Sequence, residues 1–106
     1  MTERIKRNLP ILNAIHKCSP LERKQMIKIA RPELIHAICD CVLNVAHSKV
    51  PISNYQKRKL RKKVNVLQQL SQPKHSAQKK KKLLLQHGEG ILTSIIGPII
   101  KAITDI

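Results

Sequence analysis

Eleven basic side chains, ten of them gathered in two short clusters, are the residues of this sequence with the clearest capacity for chemistry. The first cluster fills six of the seven positions from 57 to 63, and the second is a run of four lysines, with one further lysine between the two clusters: Lys57, Arg58, Lys59, Arg61, Lys62 and Lys63, then Lys74, then Lys79, Lys80, Lys81 and Lys82. No acidic residue lies between positions 57 and 82. Because like charges at this density repel unless a polyanion neutralises them, the clusters predict contact with nucleic-acid phosphates.

The residue types favour a duplex backbone over bases or single strands. Base readout uses Arg, Asn or Gln held at defined positions, whereas lysine is a flexible point charge that suits phosphates. Tyr55 is the one aromatic residue of the chain, so stacking on single-stranded bases is weak. The sequence therefore predicts binding to double-stranded DNA without sequence preference. A solvated charged face or a bipartite nuclear-import signal is the alternative, and an import signal is compatible with DNA binding.

The cysteines and histidines raise the question of a metal site. His36, Cys39, Cys41 and His47 lie within twelve residues. Structural zinc sites use gaps of two to four residues between paired cysteines, whereas Cys39 and Cys41 have a gap of one and would point about 200° apart on a helix. We therefore expect no metal, and we expect Cys41 to be a buried, reduced thiol in an apolar stripe.

No pattern of residues indicates catalysis. The five histidines and six acidic residues are scattered, and no Ser/His/Asp arrangement or paired carboxylates occur. The Gly88-Glu89-Gly90 stretch is too short to cradle a nucleotide phosphate. We expect a protein without enzymatic activity, cofactor or small-molecule substrate.

Composition limits the kind of domain that this chain can build. Its 106 residues have a net charge of +15 and contain neither Trp nor Phe, so the core must be aliphatic and modest. Such a domain is expected to be marginal or partner-dependent. The three cysteines, the lack of a secretory signal pattern and the lack of a long apolar run favour a reduced, intracellular compartment and no transmembrane helix.

Helix start signals divide the chain clearly. Ser19-Pro20-Leu21-Glu22 is a capping box that begins a helix running to about Ala30, and Ser53-Asn54-Tyr55-Gln56 is a second capping box. Ser76 is placed to cap a shorter helix that carries the four lysines to about Gln86. Glycines at 88 and 90 are expected to end that helix.

Apolar residues recur at helical spacing in each predicted helix. The stripes are Leu9, Leu12 and Ile15 in a short opening helix; Leu34, Ile38, Cys41, Val42 and Val45 in a helix opened by Pro32 and ended by Pro51; and Leu60, Val64, Leu67 and Leu70 in a helix limited by Pro73. No strand-like alternation is found. The sequence predicts an all-α chain of helical hairpins or a small bundle: a helical domain over 1–50, a basic helical arm over 51–87 and an apolar, amphipathic tail over 88–106.

The tail presents a wide aliphatic face directly after the densest positive charge. Its predicted contact residues are Leu92, Ile95, Ile96, Ile99 and Ile103, with a kink at Gly97-Pro98. Three alternatives for what this face packs against stay open. It packs back on the helical domain, it associates with another copy or a capsid protein through residues 91–106, or it contacts an anionic membrane.

The C-terminal part of the chain resembles a known viral family. The lysine run, followed by Gly88-Glu89-Gly90-Ile91-Leu92 and by Ile95-Ile96-Gly97-Pro98-Ile99-Ile100, is similar to the precursor of the adenovirus minor core protein mu. The longer layout, from Ala30-Arg31-Pro32-Glu33-Leu34-Ile35 through residues 39–45 and 51–61, is similar to core-protein-like frames of Maverick/Polinton mobile elements and related DNA viruses. Glu89 interrupts the paired glycines of that family, and lysine replaces much of its arginine.

The resemblance implies a virion core protein that condenses double-stranded DNA, located in the virion core or the host nucleus. On that basis residues 57–63 and 79–82 would contact DNA. The alternative function is that of a membrane-active cationic amphipathic protein, whose lysines bind anionic lipid while the aliphatic face of the tail inserts.

Overall fold

The computed structural model describes residues 3–47 and 50–104, which form eight helices. Their bounds are α1 Glu3–Arg7, α2 Leu9–Lys17, α3 Pro20–Ile29, α4 Pro32–Ala46, α5 Asn54–Arg61, α6 Val64–Leu70, α7 Ala77–His87 and α8 Glu89–Thr104. No strand occurs among the residues that the structure describes. The all-α prediction is confirmed.

Three helices start where their capping residues predict. The Ser19 hydroxyl accepts a hydrogen bond from the Glu22 amide at 3.2 Å, and the Glu22 carboxylate accepts one from the Ser19 amide. Ser53 and Gln56 form the same reciprocal pair at the start of α5. Ser76 accepts a hydrogen bond from the Lys79 amide at the start of α7. These bonds satisfy amides that the first helical turn leaves without partners.

The helix predicted from Ser53 to Pro73 is two helices instead of one. A turn at Lys62 and Lys63 separates α5 from α6. Leu60 and Leu70 are buried on either side, but Val64 is 43% exposed, so the apolar stripe predicted along one continuous helix is interrupted there. Because the turn changes the direction of the chain, Val64 lies at the edge of the hydrophobic core and does not point into it.

Two further details, one at the first helix and one at the turn between α7 and α8, differ from what the sequence pattern predicted. The opening helix around Leu9 is confirmed as α2, but α1 precedes it, buries Ile5 and packs on α4. Gly88 ends α7 as predicted, whereas Gly90 lies within α8 and does not interrupt it. A Cβ atom on Gly88 would collide with the Leu84 carbonyl oxygen, so this turn requires glycine.

The apolar face of α8 lies in the centre of the core. Leu92, Ile95, Ile96 and Ile99 are buried, and Ile103 is partly buried against the same cluster. Helix α8 packs on α2, α4, α5 and α7. Of the three alternatives left open for the tail, the structure shows intramolecular packing, and these side chains do not form an exposed surface. Residues 105 and 106 of the predicted tail lie outside the described residues.

Helix α4 supplies another large part of the core. Its predicted stripe from Leu34 to Val45 is buried, and Cys41 lies within it. Helix α2 approaches α8 closely at Gly97, where an added Cβ would lie 2.9 Å from Cε1 of His16. A side chain at position 97 would therefore require the His16 imidazole to move.

No single helix in the described ranges is long and apolar enough to cross a membrane. The segments Ala77–His87 and Ile91–Ile103 meet the length and composition criteria only together, and they are bent by 109° at the break between them.

Replacing Ile96 with alanine should destabilise the fold strongly. Ile96 is 0% exposed, so I96A removes buried methylenes and leaves a cavity, which costs about 2–5 kcal/mol of unfolding free energy. The matched control is I29A, because Ile29 is 81% exposed and its loss should change stability by less than about 0.5 kcal/mol. Urea denaturation followed by circular dichroism measures both. Equal effects of the two variants would contradict the placement of α8 in the core.

Candidate nucleic-acid interface

Helix α5 carries the first predicted cluster on its outer surface. Leu60 is buried, which anchors the helix against α8. The cations on either side of it are exposed, and we call them the α5 cluster: Lys57, Arg58, Lys59, Arg61 and Lys62. Lys63, at the turn that follows, is half-buried. The structure thus places five of the six predicted cations of this segment in solvent within two helical turns.

Tyr55 lies beside this cluster rather than in the core. It is 60% exposed, and the Lys59 ammonium lies 5.1 Å from the centroid of its ring. A cation at this distance is attracted to the ring face, which restrains the otherwise flexible lysine. The single aromatic residue therefore helps to position one phosphate-binding candidate.

Of the four lysines of α7, two are exposed, one is buried and one bonds to the end of α3. Lys79 and Lys82 are exposed, as is Lys74 before the helix. Lys80 is only 6% exposed, so the structure does not present it to a phosphate. Lys81 donates hydrogen bonds to the carbonyl oxygens of Lys28 at 3.1 Å and Ala30 at 2.6 Å. Its ammonium thereby caps the C-terminus of α3, where a positive charge is favourable.

The bonds of Lys81 bring cations together that the sequence separates by some fifty positions. They place the lysine run of α7 next to the end of α3, where Lys28 and Arg31 are exposed. We call the exposed cations on these two packed helices and directly after α3 the α3–α7 cluster: Lys28, Arg31, Lys79 and Lys82. Sequence reasoning missed Lys28 and Arg31 because they do not belong to a run, and only the packing of α3 on α7 reveals them.

Acidic residues neutralise a different part of the surface. Arg4 pairs with Asp40 at 3.4 Å, Lys6 with Glu3 at 3.8 Å and Arg7 with Glu33 at 2.7 Å, all on α1 or across its contact with α4. The hydrogen bond from Arg7 lowers the pKa of Glu33. Residues 57–82, by contrast, contain no carboxylate. The net positive charge is therefore concentrated away from α1.

His75 lies close to the lysines before and within α7, and its pKa is lowered. Partial desolvation, together with repulsion from Lys79 and Lys74, lowers its pKa. Desolvation and the nearby positive charges both disfavour the imidazolium form.

Arg23 is a cation with a purely structural place. It is buried, and its guanidinium donates to the carbonyl oxygens of Ile15 and Cys18, both at 2.9 Å. These bonds satisfy carbonyls at the end of α2 that the helix itself leaves unpaired. Arg23 therefore joins α2 to α3 and does not belong to the interface.

The cysteines are free thiols, and two of them are buried. Burial raises the pKa of Cys39 to about 11 and that of Cys41 to about 12, so both are protonated at neutral pH. The placement of Cys41 in the apolar stripe is confirmed. Among the described residues no three His, Cys, Asp or Glu side chains converge on a point that would hold a metal ion.

Lys81 and Lys82 should separate structural from binding roles. K81Q removes two hydrogen bonds from a charged donor and should lower the unfolding free energy by about 1–2 kcal/mol, because the carbonyls at the end of α3 lose their partner. K82Q, which removes the same charge from an exposed neighbour, should leave stability within about 0.5 kcal/mol. Thermal melts of both variants at one salt concentration test this, and equal stability of the two would refute the capping role.

The resemblance to the mu-like core proteins rests on residue pattern alone. Comparison of the chain with protein-family models, with curated proteins and with solved structures gives no match. The family assignment therefore stays a prediction.

Proposed function

We propose that this protein binds double-stranded DNA without sequence preference and condenses it. The observation that carries the proposal is the α5 cluster, in which five exposed cations lie on eight consecutive helical residues and on the turn after them, with no acidic residue nearby in the sequence. An eight-residue helix is about 12 Å long. Duplex DNA has one phosphate charge per roughly 1.7 Å of its axis, so several phosphates lie within reach of one such helix.

The chemistry of the α5 cluster supports contact with the backbone rather than with bases. Lysines outnumber arginines, and their long, flexible stems follow phosphate positions without a fixed geometry. The helix is short and packs on the core through Leu60, so its cations lie on the surface that faces solvent. Contacts of this kind position a protein on DNA but carry no sequence information.

Condensation follows from the presence of two clusters on one small, folded protein. The α5 cluster and the α3–α7 cluster belong to different helices, and the whole protein measures 31 × 28 × 27 Å. A folded protein of this size with two cationic surfaces is suited to hold two duplex segments near each other. Each surface neutralises phosphates of one duplex, which removes the repulsion between the duplexes. In this mechanism the apolar tail does not join copies of the chain. It forms the core that fixes the two clusters.

The membrane-active alternative receives less support. It requires the aliphatic face of α8 to enter lipid, but that face is the centre of the hydrophobic core. Insertion would expose the apolar sides of α2 and α4 at the same time. The resemblance to viral core proteins agrees with the DNA proposal and extends it to a place in a virion core or the host nucleus.

A salt titration with duplexes of several unrelated sequences tests the proposal. With about six phosphate contacts, the plot of log affinity against log salt concentration should have a slope of about −5, equal for all sequences. R58Q and R61Q should each reduce the slope by about 0.9, because each removes one phosphate contact. Fluorescence anisotropy of labelled duplexes measures these values.

K17Q is the control for the loss of charge alone. Lys17 is exposed at the end of α2, outside both clusters, so K17Q should leave the slope unchanged. Single-molecule stretching of long DNA tests condensation separately. If the protein left long DNA extended at physiological ionic strength, or if K17Q lowered the slope as much as R58Q, the proposal would fail.

A further inference from the structure

A small apolar cavity opens beside the α5 cluster, and DNA binding gives it no role. Its volume is about 250 Å³, and eight aliphatic side chains and two cations line it. Val42 and Ile95, both 1% exposed, lie at its base, and Leu60 and Leu67 form walls from α5 and α6. Nucleic acid has no aliphatic group of this kind to place there.

The polar side of the cavity is positive. Lys57 and Arg61 line it, and they are one helical turn apart on α5, so they share a face. No acidic residue lines the cavity. Val64, which the turn between α5 and α6 leaves 43% exposed, lies at the rim, so an apolar surface continues from the base to solvent.

We propose that this cavity binds a medium-chain aliphatic carboxylate, with the hydrocarbon tail between α4, α5, α6 and α8 and the carboxylate at Lys57 and Arg61. The combination of apolar walls with two cations on one side matches a molecule that has an apolar tail and a single anionic head. Arginine is well suited to a carboxylate because its planar guanidinium donates two parallel hydrogen bonds.

The volume sets the length of the tail. A methylene group has nearly the volume of a water molecule in the liquid, roughly 30 Å³, so 250 Å³ holds about eight carbons. The two-chain tail of a phospholipid is far larger. The proposal therefore commits to a free carboxylate such as octanoate.

The test is calorimetric titration of the intact protein with butanoate, hexanoate, octanoate and dodecanoate, each below its micelle concentration. Burial of each added methylene should raise the affinity roughly fourfold as far as about eight carbons, and the gain should then stop. Octylamine, with the same tail and a positive head, should not bind. Affinity independent of chain length, or equal binding of octylamine, would overturn the proposal.

Three substitutions locate the ligand. Ala46 lines the cavity at the end of α4 and is exposed, so A46L should fill the cavity and lower octanoate affinity roughly tenfold or more without disturbing the core. K57Q and R61Q leave the apolar walls intact and should each weaken octanoate several-fold. K59Q removes the same charge from a residue that does not line the cavity, and its affinity should not change.

These variants also separate this proposal from the DNA proposal. A46L retains every cation, so DNA binding should persist when octanoate binding is lost, and octanoate binding is measured on the protein without DNA. If A46L lowered the melting temperature, K57Q and R61Q would still provide the test. Unchanged octanoate affinity in A46L and R61Q would overturn the site. The same conclusion would follow if anionic vesicles or an acidic amphipathic peptide bound in an A46L-sensitive way while octanoate did not, because the occupant would then belong to another class.

Discussion

The fold depends on the burial of one aliphatic helix face. The chain has no Trp or Phe, so its core must be assembled from Ile, Leu and Val, which contribute less area per residue than aromatic side chains. Helix α8 provides Ile91, Ile95, Ile96 and Ile99, all at most 1% exposed, and it packs on four other helices. Without that face, α2 and α5 would lose their most extensive packing partner. The apolar C-terminal segment is thus the element that allows a small chain with a charge of +15 to be compact.

The charge distribution follows from the same packing. A compact state repels itself when its net charge is large. In this protein some cations are used inside the structure, where carbonyl oxygens stabilise them: Arg23 bonds to the end of α2, and Lys81 bonds to the end of α3. Others pair with carboxylates around α1. Nine of the remaining exposed cations form the α5 and α3–α7 clusters, whereas Lys17, Lys24 and Lys74 are exposed outside them, so the densest unbalanced charge, and the proposed interaction with phosphates, is found in the two clusters.

Local signals in the sequence predicted local structure well, and long-range packing decided the rest. The capping boxes at Ser19 and Ser53 involve residues three positions apart, so their effect could be read without knowing the fold. The stripe through Cys41 predicted burial because its period is that of a helix. The helical period of the tail also predicted an apolar face, but the period does not indicate which surface covers that face. The buried place of Lys80 could not be predicted either, because it depends on the helices packed around α7, and no feature of a lysine run indicates which member will face inward.

The turn at Gly88 explains why dense positive charge and a strongly apolar segment can be neighbours in the sequence. The chain bends by 109° there, so α7 can present Lys79 and Lys82 to solvent while α8 enters the core. Helix α7 presents cations and α8 builds the core. Because the two are adjacent, the core holds the cationic helix in place. A lysine-rich arm without an anchor would lose conformational entropy when phosphates ordered it, at a cost of about 1–2 kcal/mol per residue for the backbone. Here the core already fixes the backbones of α5 and α7, so in the proposed complex with DNA mainly the exposed side chains would still have to be ordered.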